Sequence, residues 1–322
     1  MTSIFEITYL KKHYPITKGL FNKQIGIVKA VDDISFNVFK GETFGIVGES
    51  GSGKTTLARL LLKLVSPSGG KIFFEGQDIS TLDNQKLLNF RRKAQIVFQD
   101  PHSSLNPRLS VANTVGEGLI IHKLAKNKNE RLERVSGLLK TVGLNPDHMN
   151  RYPHAFSGGQ RQRIGIARAL SVNPEVIIAD EPVSSLDVSV QAQVLNLLSD
   201  LQEQFQLTYI FIAHDLRVVE HISSRIAVMY MGKIVEIAGK EEIYKNPFHP
   251  YTQLLLNSIP NLDPAERGFK KLPVKTDTNT AFGKIGCNFY PRCLKADREC
   301  SLQTPALIEK LPGHFVSCLK QS

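Results

Sequence analysis

The chain has 322 residues, is 42% hydrophobic and carries a formal net charge of +10. That length and apolar content suit one large domain with an extension, or two domains, around a real core, and exclude a disordered chain. No run of about 18 apolar residues occurs, and residues 1–10 carry Glu6 and lack the apolar stretch of a secretory signal, so an intracellular protein without a membrane span is expected. The basic balance suits nucleic acid, an anionic membrane surface or simple solubility, although no long Lys/Arg run is present.

Residues 4–39 read as β-rich. Ile4-Phe5-Glu6-Ile7-Thr8-Tyr9-Leu10 alternates, as do Ala30-Val31 and Ile34-Ser35-Phe36-Asn37-Val38 around a turn-like Asp32-Asp33. Pro15, Gly19 and Gly26 mark residues 14–27 as a loop. An aromatic there can stack on an adenine. Tyr14 is the first candidate and Phe21 the second, and the alternative is that these rings only cover the core edge.

The stretch Gly48-Glu49-Ser50-Gly51-Ser52-Gly53-Lys54-Thr55 is G-x-x-x-x-G-K-T. The apolar run Thr43-Phe44-Gly45-Ile46-Val47 precedes it, and residues 56–64 suit a helix that Pro67 and Gly69-Gly70 stop. A glycine-rich turn between strand and helix aims backbone N–H groups of Gly48, Ser50, Gly51, Ser52, Gly53 and Thr56 at a polyphosphate, and the helix N-terminus adds positive potential. Lys54 reaches the outer phosphates and the Thr55 hydroxyl can ligate Mg²⁺.

Downstream, residues 71–76 and 94–99 read as strands, with Gln99 at a strand end where it can meet a metal or an attacking water. Residues 110–155 look helical, with Leu132, Val135, Leu138, Leu139 and Val142 at helical spacing. Ser157-Gly158-Gly159-Gln160 feeds a helix over 160–170. This puts N–H groups and a hydroxyl at a second anion site, or it is only an N-cap and turn. Two phosphate-type sites with one phosphate loop suggest that two chains share a nucleotide. Val176-Ile177-Ile178-Ala179-Asp180-Glu181-Pro182 is a strand ending in two carboxylates: Asp180 suits a Mg²⁺ shell and Glu181 a proton acceptor for water. Ser184-Ser185-Leu186-Asp187 precedes a helix over 189–205, which Asp187 can cap. Residues 207–213 form another strand, whose His214 can reach a γ-phosphate. Residues 225–230 and 233–238 read as a hairpin over Met231-Gly232.

Taken together, the phosphate loop, Gln99, Ser157-Gly158-Gly159-Gln160, Asp180-Glu181, Ser184 to Asp187 and His214 resemble, over residues 4–240, the ATPase of an ABC transporter. Phe156 stands where Leu is usual, and Ser185 where Ala is usual. The insertion at Lys18 to Gly26 displaces Tyr14 from the usual spacing. The resemblance implies a P-loop NTPase of α/β class: an N-terminal antiparallel β part, a helical subdomain at about 100–170, and a small cysteine-containing extension. It implies an ATP-binding domain over 1–245 and an extension over 246–322. It further implies a head-to-tail dimer in which Ser157, Gly159 and Gln160 complete the partner's ATP site.

Val28-Lys29-Ala30-Val31-Asp32, the Pro-His-Ser-Ser-Leu-Asn-Pro at 101–107 and Asn246-Pro247-Phe248-His249-Pro250-Tyr251-Thr252 resemble the ATP-binding subunits of oligopeptide/dipeptide importers, the F-type more than the first type. That implies two membrane permease subunits, a second and paralogous ATPase, an extracytoplasmic solute-binding protein, a peripheral place on the cytoplasmic face of the membrane, and no nucleic acid. The alternatives are an importer ATPase for nickel or another small solute, or a soluble ABC ATPase acting on ribosomes or DNA.

Residues 260–286 read as a linker. All four cysteines follow: Cys287, Cys293, Cys300 and Cys318. Four thiolates can hold Zn²⁺ or a [4Fe–4S] cluster, or stay as thiols. Their spacing lacks the C-x-x-C pairs of zinc ribbons. The pattern resembles the C-terminal extension of peptide-importer ATPases, which implies a [4Fe–4S] cluster as in some members.

Overall fold

The computed structural model describes residues 2–18, 23–258 and 285–320. Phe21 and nearly all of the expected linker lie outside them. The chain divides into two units. One comprises Ser3–Val38, Phe44–Ser80 and Ala213–Ser322, the other Met1–Thr2, Phe39–Thr43 and Thr81–Ile212.

In the first unit, alternating apolar residues build an antiparallel sheet in the order Lys23–Phe39, Ser3–Lys18, Gly69–Phe74, Gln77–Asp78. Phe5 pairs with Phe74 and Ile7 with Ile72, and all four side chains are buried. A register shift between Thr8 and Lys11 turns Tyr9 out to 70% exposure at φ 48°. The loop expected over 14–27 is largely strand, and Tyr14 sits on it. Pairing with Gly69–Phe74 ends at Lys11↔Gly69, ahead of Pro15, so the missing proline N–H breaks no bond of that ladder.

From Phe44 on, the strand Thr43–Val47 lies in the same unit, parallel to Arg225–Tyr230 from Phe44↔Arg225 to Val47↔Val228. The expected hairpin joins Arg225–Tyr230 to Lys233–Gly239. Its two turn residues, Met231 and Gly232, have φ of 44° and 80°, the combination that matches the strands' own twist. The cysteine-bearing end then returns to this sheet, which sequence reading does not foresee. His314–Val316 pairs with Lys233–Gly239, and Ile308–Leu311 pairs with His314–Val316.

A buried carboxylate explains that return. Glu236 is 0% exposed and accepts from Phe248 N–H at 2.7 Å and His249 N–H at 3.0 Å, and its Oε1 lies 2.7 Å from His314 Nε2. Buried charge is tolerated only when its lone pairs are met this way. His249 Nδ1 accepts from Tyr251 N–H at 3.0 Å and so caps the helix Pro250–Asn257.

The second unit contains three parallel strands, Ala94–Val97, Val176–Asp180 and Thr208–Ala213, paired Ala94↔Val176 and Val176↔Thr208. The middle strand is buried at every position, as a near-continuous apolar run should be. The helices Val111–Ile121, Lys128–Thr141 and Gly158–Leu170 pack on one another. Val188–Phe205 follows the middle strand and leads to the third. Among the described residues no helix is long and apolar enough to cross a membrane.

Burial pushes His249 down from 6.5 to about 4, against the pull of Glu236. Between those values the unfolded chain binds the extra proton, so stability rises with pH there and falls on acidification. The expected loss from pH 7 to 4 is about 3 kcal/mol. His249→Asn keeps a cap acceptor for Tyr251 N–H and removes the titration. Urea unfolding across this range should show the slope in the parent and a correspondingly shallower one in the variant.

Candidate functional site

The strand Thr43–Val47 delivers the chain into the phosphate loop, and the helix Lys54–Leu61 leaves it. The helix ends earlier than Leu64, with Lys63 at φ 51°. Two glycines are dictated by close approach. A Cβ on Gly48 would lie 2.1 Å from the Met229 carbonyl oxygen, and one on Gly53, at φ 108°, would lie 2.0 Å from that of Ala30. Between them, Ser50 and Gly51 are exposed and Ser52 is buried. Gly53 is the helix N-cap and has no side chain to offer, so the first helical N–H groups, including those of Thr55 and Thr56, suit an anion. Lys54 is 4% exposed and donates to the carbonyls of Gly48 at 2.7 Å and Glu49 at 3.0 Å. His214, in the same unit, is exposed at the end of Thr208–Ala213. Asp215 caps the next helix through Arg217 N–H at 2.9 Å. Tyr14 is 38% exposed, with Lys12 Nζ 4.9 Å from its ring centre, so one ring face already meets a cation.

The second unit gathers the carboxylate end. Asp180 closes the buried strand at 5% exposure. The next residue, Glu181, turns to φ 47°. Its N–H donates to the Ile212 carbonyl at 2.9 Å, and its carbonyl accepts from the Ser184 hydroxyl at 3.1 Å. Gln99 Nε2 donates to Glu181 Oε2 at 3.0 Å, so the two residues meet directly.

The Ser157 stretch forms a complete capping box. Ser157 Oγ accepts from Gln160 N–H at 3.3 Å, and Gln160 Oε1 accepts from Ser157 N–H at 3.0 Å. Both side chains are exposed, while Gly159 is buried: a Cβ there would lie 2.3 Å from Val190 Cγ1. Asp187 caps the helix Val188–Phe205 by accepting from Val190 N–H at 3.0 Å, and this bond and the Ser189 hydroxyl hold its carboxyl low.

In the tail, Cys287 N–H donates to the Cys300 carbonyl at 2.8 Å. Burial pushes the Cys287 thiol up to about 11, and Cys318, Cys293 and Cys300 are near enough to push the same way. Yet among the described residues no group of three or more His, Cys, Asp or Glu is gathered so as to hold a metal ion. As placed, the thiols are neighbours rather than a ligand set, so neither the [4Fe–4S] nor the Zn²⁺ expectation is supported by their geometry. Sequence reading also passes over Glu49, Tyr251 and Arg292, which meet at the phosphate loop. The available signals were Tyr251 within the Asn246 to Thr252 segment and Arg292 beside Cys293.

Residues 31–184 match the ABC transporter family model, and residues 235–300 match that of the oligopeptide/dipeptide transporter C-terminal region. The chain is 51% identical to the oligopeptide transport ATP-binding protein AppF of Bacillus subtilis (strain 168), covering 98% of this chain and 97% of that one. It is 60% identical to OppF of Streptococcus mutans over 76% of this chain and 80% of that one. The chain belongs to the ABC-transporter ATPases of the oligopeptide/dipeptide family. Their F-type names agree with the F-type resemblance. Among solved structures it is similar to the ATP-binding cassette MJ0796, as a post-hydrolysis dimer with ADP and Pi. The TM-score is 0.65 and the identity 30%, over 73% of this chain and 98% of that one.

In this ABC-transporter ATPase the left-handed backbone at Glu181 costs about 1 kcal/mol for any residue with a Cβ. Glu181→Gly should therefore raise the urea-unfolding free energy by about 0.5–1 kcal/mol, even though it removes the carboxylate that Gln99 holds.

Proposed function

We propose that this ATPase powers import of oligopeptides or dipeptides through two separate membrane permease subunits, on the cytoplasmic face of the membrane. A second, paralogous ATPase subunit would pair with it head to tail. An extracytoplasmic solute-binding protein would deliver the peptide, and no nucleic acid would take part. The observation that carries the reading is the oligopeptide/dipeptide transporter region at residues 235–300, on the same chain as the phosphate loop. We assign residues 1–245 to ATP binding and 246–322 to the extension.

The chemistry follows from the residues. Gly48, Ser50, Gly51, Ser52, Gly53, Thr55 and Thr56 would surround the ATP phosphates, with Lys54 on the outer ones and Tyr14 on the adenine. The oxygen donors of Thr55, Gln99 and Asp180 suit a hard cation and would hold Mg²⁺. That ion would neutralise charge on the transferring phosphoryl group. Glu181 would take the proton of the attacking water, Gln99 orienting its carboxylate. His214 would contact the γ-phosphate, and Ser157, Gly159 and Gln160 would complete the partner's site. Closure on ATP and reopening after hydrolysis would move the permeases.

Cys287, Cys293, Cys300 and Cys318 would hold a structural [4Fe–4S] cluster. The support is their confinement to the tail. Iron and labile-sulfide assays on anaerobically purified protein should find about four of each per chain. A colourless, iron-free protein that keeps its fold would sink this assignment.

Glu181→Gln should bind ATP with Mg²⁺ as the parent does and lose at least about 10²-fold in turnover. An ATPase assay showing parent-like hydrolysis would remove Glu181 as the base. A tagged pull-down from gently solubilised native membranes should recover multi-span permeases and a second ATPase. Recovery of ribosomal or DNA-bound partners without permeases would overturn the transport reading.

A further inference from the structure

The phosphate loop is gripped at Glu49 by the C-terminal region. Arg292 Nη1 and Nη2 donate to Glu49 Oε2 and Oε1 at 2.8 and 2.9 Å, a fork-on-fork pair. Tyr251 Oη accepts from Glu49 N–H at 2.9 Å. Both partners are themselves held. The Arg292 guanidinium lies 5.7 Å from the ring centres of Tyr230 and of Phe289. Tyr251 is 0% exposed, with its ring 4.5 Å from Tyr230 and 5.4 Å from Phe289. On the inner side, the Glu49 carbonyl accepts from Lys54 Nζ at 3.0 Å and from Ser52 N–H at 3.1 Å. The Gly48–Glu49 peptide is thus held from outside through its N–H and contacted by the phosphate-binding lysine from inside, its Gly48 carbonyl accepting from Lys54 Nζ at 2.7 Å.

We infer that Arg292 and Tyr251 are positioning residues for nucleotide: they set the Gly48–Glu49 peptide and neutralise the Glu49 carboxylate, so that the loop and Lys54 present themselves to a polyphosphate. This rests on the reading of residues 48–56 as the ATP site. Two physical effects carry it. A bare carboxylate on a phosphate-binding loop repels the ligand, and a bidentate guanidinium cancels that charge at its source. With the Glu49 N–H engaged by a buried phenol, the Gly48–Glu49 peptide cannot rotate without leaving buried polar groups unmet, so the Gly48 carbonyl, which accepts from Lys54 Nζ at 2.7 Å, stays in place. The extension after residue 245 is on this account part of the nucleotide site rather than an appendage to it.

The test is titration of the full chain with a fluorescent ATP analogue and Mg²⁺. Lys54→Ala controls for the site: lost binding upholds it, whereas retained binding overturns the site reading and this inference with it. Tyr251→Phe keeps the ring packing and removes only the hydroxyl, and it should weaken binding about 3-fold. Arg292→Ala should weaken it about 10-fold, and adding Glu49→Gln should return most of that loss, because the repelling charge is gone. A role confined to folding the extension would not be reversed by a change at residue 49. If Arg292→Ala does not fold, Arg292→Lys keeps the charge, loses the fork and should fall between. Affinity within about two-fold of the parent in the Tyr251 and Arg292 variants, while Lys54→Ala loses binding, overturns the inference, as does an additive Arg292/Glu49 pair.

Discussion

The constraint on which the phosphate loop depends is a backbone-to-backbone approach that admits no side chain. Gly48 lies under the Met229 carbonyl and Gly53 under that of Ala30. The turn at Gly232 ties the same elements, its N–H donating to the Ser52 carbonyl at 2.9 Å and its carbonyl accepting from Asp32 N–H at 2.8 Å. Asp32 is braced by Lys29, Lys233 and His13, whose contacts hold its carboxyl low against the opposing effect of burial. The loop's shape is therefore set by two stretches distant from it in sequence, residues 30–32 and 229–232.

The C-terminal segment follows a second logic. A tail of this size has too little apolar area to form a core alone. It borrows one: Phe289 is buried against Tyr230 and Tyr251, at 5.3 and 5.4 Å between ring centres, and Val316 is buried in the sheet edge. The polar side of the same junction is Glu236 with His314 and the two N–H groups at Phe248 and His249. An apolar packing surface gives attachment, whereas a fully met buried carboxylate gives one register, since a slip of His314–Val316 by one residue would leave Glu236 facing the wrong side chain.

Much of this was legible from local pattern. The phosphate loop, the strand ending in Asp180, the helix after Asp187 and the hairpin over Met231-Gly232 each carry a signal within about ten residues of sequence. The loop expected over 14–27 failed because Pro15 and the glycines were read as breakers, whereas Pro15 falls beyond the ladder that it would have broken. The meeting of Gln99 with Glu181 and of Arg292 with Glu49 could not be read at all. Both are contacts between residues far apart in the chain, made by polar side chains with no periodicity to announce them. The four cysteines show the converse: a pattern conspicuous in sequence whose side chains are near one another without forming a ligand set among the described residues.

Asp180 and Glu181 show how two adjacent acids acquire different environments. Asp180 is the last residue in strand register, paired with Ile212, and the residue is 5% exposed. A residue continuing that strand would point to the opposite face of the sheet. Glu181 instead takes φ 47°, still bonding to Ile212 through its N–H while its carbonyl turns to Ser184. The backbone strain of about 1 kcal/mol is offset by those bonds. The result is a carboxylate that leaves the sheet and accepts from the Gln99 amide. Its neighbour Asp180 stays in strand register and buried. The left-handed turn at Glu181 is what separates the two environments.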